Sequence, residues 1–156
     1  MVKGYTDHIP FELGVKLKEY GYWNPGCTYD SNYNNPCYFV KSKVFYDKGV
    51  VAPWELIVPA PTYAEVFDWF IEKKGIIITL DPFFTYALKN HIAYTWKVSY
   101  PDLNNGCIVI RTEEDEWKSS KGFGGSFGLT ANDAIEYAMT ITVNNEEFIE
   151  VNIEDL

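Results

Sequence analysis

The sequence predicts an α+β fold: a single domain over residues 1–156 with an antiparallel sheet, about three helices and a loose strand–strand–helix duplication at 37–74 and 92–142. Three observations predict it. Apolar residues make up 47% and aromatics 17% of the 156 residues, enough buriable surface to offset the entropy of ordering the backbone. Short β-branched and aromatic runs bounded by turn residues alternate with segments of helical period. No apolar run approaches the ~18–20 residues that a membrane span needs.

The first helix is expected over Pro10–Gly21, where proline suits the first helical position and glycine a left-handed stop. Leu13, Leu17 and Tyr20 share one face, with Phe11 and Val15 opposite. A helix apolar on two sides is covered on both or kept short. Residues 22–36 read as a loop rich in Asn, Pro and Gly. Two strands follow, Cys37–Tyr46 and Val50–Val58, joined by a turn at Asp47-Lys48-Gly49, with Pro53 demoting part of the second to an edge or bulge.

The clearest element begins at Pro61-Thr62-Tyr63-Ala64-Glu65 and stops at Gly75. Thr62 and Glu65 have capping-box spacing. Tyr63, Val66, Phe67 and Phe70 form the core stripe, while Trp69 falls off it, next to Lys73. Ile76–Leu80 is a short strand closed by Asp81-Pro82. Residues 92–100 and Cys107–Thr112 form a hairpin around Asn104-Asn105-Gly106. A polar, glycine-rich loop spans 113–128, and a helix capped at Thr130 and Asp133 runs to about Thr142. Residues 144–156 then form a short strand or tail. The alternation of Ile149, Val151 and Ile153 leaves a terminal hairpin as the alternative.

The net charge is −9. Residues 1–112 are balanced, and residues 113–156 hold 11 acidic side chains against only Lys118 and Lys121, which accounts for the whole excess. Arg111 is the sole arginine. Phosphate recognition recruits arginine forks and a basic groove, so the composition argues against direct nucleic-acid binding. With no apolar signal-peptide core at Met1–His8, the expectation is a cytoplasmic protein. Cys27, Cys37 and Cys107 are odd in number and widely spaced, which predicts free, partly buried thiols; a Cys27–Cys37 bridge would need an oxidising compartment.

Three stretches form a recognisable series: Ile9-Pro10-Phe11-Glu12 through Leu17-Lys18-Glu19-Tyr20-Gly21; Asn35-Pro36-Cys37; and Ala60-Pro61-Thr62-Tyr63 through Trp69-Phe70 to Gly75-Ile76. The series resembles a family of small uncharacterised proteins of Bacteroidales phages, prophages and mobile elements, in which an Ala-Pro-Thr-aromatic helix carries a Trp-Phe pair. Residues Thr130–Ala138 are similar to that family's closing helix. The resemblance covers about half the chain. It implies a bacterial-host origin and carries no activity with it.

No catalytic constellation is legible. Neither histidine, His8 or His91, nor any cysteine has metal-ligand spacing, so no metal or other cofactor is expected. Gly124, Gly125 and Ser126, within the run Gly122–Gly128, form a candidate anion or ligand loop before a helix, though no Walker lysine follows. Glu113-Glu114-Asp115-Glu116 reads as a solvated acidic run. The candidate binding residues are the aromatics Trp23, Tyr29 and Tyr33 of the asparagine-rich loop, with Trp69. Tyrosine and tryptophan give large contact area at low entropic cost, although the same rings can instead complete a core. The expected function is that of a non-catalytic acidic accessory protein binding another protein, for which a basic partner is the match in charge. The alternative is a small-ligand binder or minor enzyme, with a nucleotide as one candidate ligand, using an aromatic pocket and the glycine-rich loop.

Overall fold

The computed structural model describes residues 3–22, 36–47, 52–84, 92–114 and 125–143. These form an α+β structure with three α-helices and two three-stranded antiparallel sheets. The chain falls into two compact units, 1–66 and 67–156.

In the first unit a short 3-10 helix, Lys3–Thr6, leads to α1, Phe11–Tyr20. Pro10 lies just outside α1, as its N-cap rather than as its first helical residue. Gly21 stops α1 at φ 108°, a left-handed conformation that a side chain would strain. Its amide and that of Tyr22 bond back to the carbonyls of Lys18 and Leu17, at 3.2 and 2.8 Å, as in a Schellman motif.

The expected strand Cys37–Tyr46 is itself a hairpin, made of β1 (Cys37–Phe39) and β2 (Phe45–Tyr46). The reversal lies at Lys41-Ser42-Lys43, where Lys43 adopts φ 58° and the Ser42 hydroxyl accepts the Val44 amide at 3.3 Å. Pro53 caps a 3-10 helix, Trp54–Leu56, instead of lying in a strand, and β3 is limited to Ile57–Pro59. The sheet order is β2-β1-β3. Helix α1 packs on β3 through Gly14: a Cβ there would meet Val58 Cγ1 at 2.6 Å and the Pro59 carbonyl at 2.7 Å.

Residues 7–9 run along 61–63, with Ile9 N–H to Pro61 O at 3.0 Å and Tyr63 N–H to Asp7 O at 3.1 Å. His8 is half-buried and anchored. Its Nδ1 lies 2.7 Å from Ala60 O, and its ring is tilted on Phe45.

Helix α2, Tyr63–Lys74, begins at the expected cap. The Thr62 amide donates to Glu65 Oε1 at 3.1 Å, and the Glu65 amide donates to Thr62 Oγ1 at 3.3 Å. All four stripe residues, Tyr63, Val66, Phe67 and Phe70, are buried.

The second sheet comprises β4 (Ile77–Phe84), β5 (Ile92–Asp102) and β6 (Cys107–Thr112), in that order. Strand β4 continues through Asp81-Pro82, where the sequence predicts a stop. Tyr94, opposite Pro82, exchanges both of its backbone groups with Gly125 on its other side, at 2.8 and 3.1 Å. Pro82 therefore occupies a non-hydrogen-bonded pair on an edge strand, where the missing N–H costs no ladder bond.

Helix α3, Phe127–Met139, starts earlier than Thr130 and ends before Thr142. Ser126 is its N-cap, and Thr130 is buried with its hydroxyl donated to Tyr94 O at 3.1 Å. Ala131, Ala134, Ile135 and Ala138 are buried on α3, which packs on β4 and β5. Trp96 stacks on Tyr137, and Tyr94 meets Phe127 edge-on.

Three strands followed by a helix occur twice among the described residues, β1–β3 with α2 and β4–β6 with α3, but the strand orders differ: the central strand is the first of its sheet in one and the second in the other. The two runs thus share element content without sharing topology. The terminal segment 144–156 lies outside the described residues.

Candidate binding groove

An open concavity of about 400 Å³ lies in the first unit, lined by Val15, Lys18, Glu19, Val40, Trp54 and Val58. Helix α1 contributes Val15, Lys18 and Glu19, whose i, i+3, i+4 spacing places them on one face. Strand β3 supplies Val58, the 3-10 helix Trp54, and the residue after β1 Val40.

Lys18 fixes this arrangement. Its Nζ donates to the carbonyls of Trp54 and Ile57 and lies 4.7 Å from the centroid of the Trp54 ring. The ammonium thus ties α1 to the 3-10 helix while its charge faces the indole π-system. Trp54 also packs against the buried Cys37 and Ile57. The indole is held by the core and by a cation, so the groove wall is pre-formed. At the rim, Val40 is 40% and Leu56 45% exposed. The Val40 amide bonds to Leu56 O at 3.0 Å, which makes the two rim residues neighbours. The lining is apolar with one cation and one carboxylate, a composition suited to receiving an apolar group with a polar flank.

Burial raises the thiol pKa of Cys37 and the phenol pKa of Tyr20 above their ordinary values. Burial, and then the Glu12 carboxylate, raises that of Tyr38, whose hydroxyl donates to Ile9 O. These groups are held neutral, and a neutral thiol is a poor nucleophile.

Trp23, Tyr29, Tyr33 and Gly124 lie outside the described residues, as do Cys27 and His91. Trp69 is 8% exposed, edge-on to Phe70, with Lys74 rather than Lys73 over its ring, so it serves the packing of α2. Gly125 commits its amide to Tyr94 O, and the Ser126 hydroxyl accepts the Leu129 amide at 3.3 Å. Both are occupied by the fold. Glu113 departs from the solvated acidic run. Its amide bonds to Trp96 O, continuing the ladder, and its side chain is buried while Glu114 is exposed. Cys37 is a buried free thiol and Cys107 an exposed one.

Among the described residues, no three His, Cys, Asp or Glu side chains gather as a metal ion requires. No helix among them is long and apolar enough to cross a membrane.

Sequence reasoning misses Trp54 and Lys18. The signal it offers is the second apolar face of α1, where Val15 looks onto the groove and Phe11 meets Tyr38 edge-on. Compared with known protein families, curated proteins and solved structures, the chain matches none.

Proposed function

We propose that this chain is a non-catalytic protein-binding module that seats an apolar side chain of its partner in the groove beside Trp54. The observation that carries this reading is the pre-formed groove wall, with Lys18 bound to two carbonyls and lying over the indole. A rigid aromatic flank lowers the ordering cost of association, as at the anchors of protein interfaces. The exposed Val40 and Leu56 extend the apolar surface past the groove, which suits a polypeptide better than a small molecule. A basic character of the partner belongs to the same proposal. It rests on the negative excess of residues 113–156, which would steer a cationic surface. Origin in a phage or mobile element is likewise proposed, on the resemblance of the Ala60–Ile76 series and its companions.

The test is affinity capture from a Bacteroidales lysate with the wild-type chain and with Val40→Glu, a substitution at an exposed rim position. The reading expects a partner retained by the wild type, released as salt rises, and lost with Val40→Glu. Equal retention by both, or no partner, counts against it.

The groove volume favours one second reading, since about 400 Å³ also lies in the range of small-molecule sites. A thermal-shift screen of small apolar and aromatic compounds separates the two. A shift abolished by Val40→Glu supports the small ligand, and no shift leaves the protein partner.

A further inference from the structure

We infer that Asn105 is a modification site, which loses its side-chain amide by attack of the Gly106 backbone nitrogen, and that the Asp102 carboxylate holds this reaction back in the folded chain. Asparagine followed by glycine occurs once in the sequence, at Asn105-Gly106. The dipeptide lies at the tip of the β5–β6 hairpin, inside the register pair in which Asp102 stands opposite Cys107. Both residues are exposed, and a Cβ built on Gly106 would meet nothing within 4 Å beyond its chain neighbours. Glycine has no side chain to shield its own nitrogen, so this amide is the least hindered nucleophile that can follow an asparagine.

The reaction needs only water. The Gly106 nitrogen adds to Cγ of Asn105 and a C–N bond forms. The bond from Cγ to Nδ2 breaks, and the Gly106 amide proton leaves with the side-chain nitrogen as ammonia. Water then adds to either carbonyl of the resulting cyclic imide and opens it, which leaves an aspartyl or an isoaspartyl residue at that position.

The hairpin holds the reacting group away from its nucleophile. Asn105 Nδ2 donates to Asp102 Oδ2 at 2.7 Å, and the Asn104 and Asn105 amides donate to Asp102 Oδ1 at 3.1 and 3.3 Å. The carboxylate thus draws the Asn105 side chain back toward the end of β5, whereas ring closure requires it to swing forward onto Gly106. A charge-assisted hydrogen bond must break before the ring can form. The reaction also removes the clasp for good. Where Nδ2 donated to Asp102, the aspartyl product carries a second carboxylate, and like charges at that distance repel. The isoaspartyl product adds a methylene to the loop backbone, which disturbs the closing pair. Since the ammonia is lost, the change does not reverse, and it adds one negative charge to a chain already at −9.

The test incubates the full chain in mildly alkaline buffer, native and in urea. Cleavage after Lys97 and Arg111 then releases one peptide that carries Asn104 and Asn105, in which mass spectrometry locates the exchange of NH2 for OH. Asp102→Ser keeps an oxygen for the backbone amides of the turn but lacks the second one that clasps Asn105. Asp102→Thr does the same with a side chain that favours strands. Protection of the Val109 amide, whose residue pairs with Tyr100, identifies a variant whose hairpin is intact. The expected site is Asn105, modified more slowly in the native wild type than in urea. The native variant should react about tenfold faster than the native wild type, the lower end of what a hydrogen bond to a charged group is worth. In urea the two should react alike. A native wild type that reacts as fast as it does in urea overturns the inference. So does a variant with Val109 protected that reacts no faster than the wild type, or modification at Asn104 in place of Asn105.

Discussion

Single atoms decide how closely α1 approaches β3. Gly14 has no Cβ, and the space one would fill is taken by Val58 Cγ1 and by the Pro59 carbonyl, a backbone atom that cannot rotate away. Alanine has the higher helix propensity, by roughly 1 kcal/mol, but overpacking a tight contact costs about 1–3 kcal/mol. Gly14→Ala should therefore lower the urea midpoint at unchanged m-value, whereas a neutral or stabilising effect would show that α1 does not sit this close. One buried thiol and two half-buried phenols set a pH dependence. Cys37 is raised above its ordinary 9.0, and Tyr20 and Tyr38 above 10.0. Below these values, folded and unfolded chains are equally protonated at these groups. As pH rises through them, the unfolded chain ionises first, binds fewer protons and is favoured. Stability should be flat near neutrality with respect to these groups and fall as pH rises past the ordinary values of 9.0 and 10.0, as denaturation followed at several pH values will show. A midpoint that rises over that window would contradict the burial of these groups.

At the scale of elements, what is legible in the sequence is what obeys a local rule. The cap of α2 needs only Thr62 and Glu65 three residues apart, and its buried stripe follows from a 3.6-residue period; both are found as expected. Removing either capping side chain, in Thr62→Ala or Glu65→Ala, should cost about 0.5–2 kcal/mol, with a double variant losing less than the sum because the two residues hold one another. Full additivity in chemical denaturation would show that the reciprocal bonds are not coupled. Elements that depend on pairing partners are not legible in this way. The reversal at Lys41-Ser42-Lys43 carries no glycine, proline or asparagine, and Lys43 takes a left-handed conformation without announcing it. Pro82 looks like a strand stop until Tyr94 is seen to spend its backbone groups on Gly125. Thr130 looks like a cap, but its hydroxyl serves Tyr94 O inside the fold, and Ser126 does the capping. The groove is hidden for the same reason. Its lining comes from residues 15–19, 40 and 54–58, which no spacing rule connects.

For the molecule as a whole, charge and apolar surface are separated along the sequence. The body up to residue 112 is electrically balanced, and the groove lies within it, while the acidic excess belongs to residues 113–156. Such a division suits a binder whose on-rate comes from long-range attraction and whose residence time comes from an apolar anchor. Selection of random peptides against the immobilised chain addresses both properties and requires no partner to be identified first. Enriched peptides should combine an aromatic or aliphatic anchor with flanking lysine or arginine, bind the wild type, and lose most of their affinity for Val40→Glu. Peptides that bind Val40→Glu as tightly as the wild type, or that share no apolar anchor, would place the binding surface somewhere other than beside Trp54.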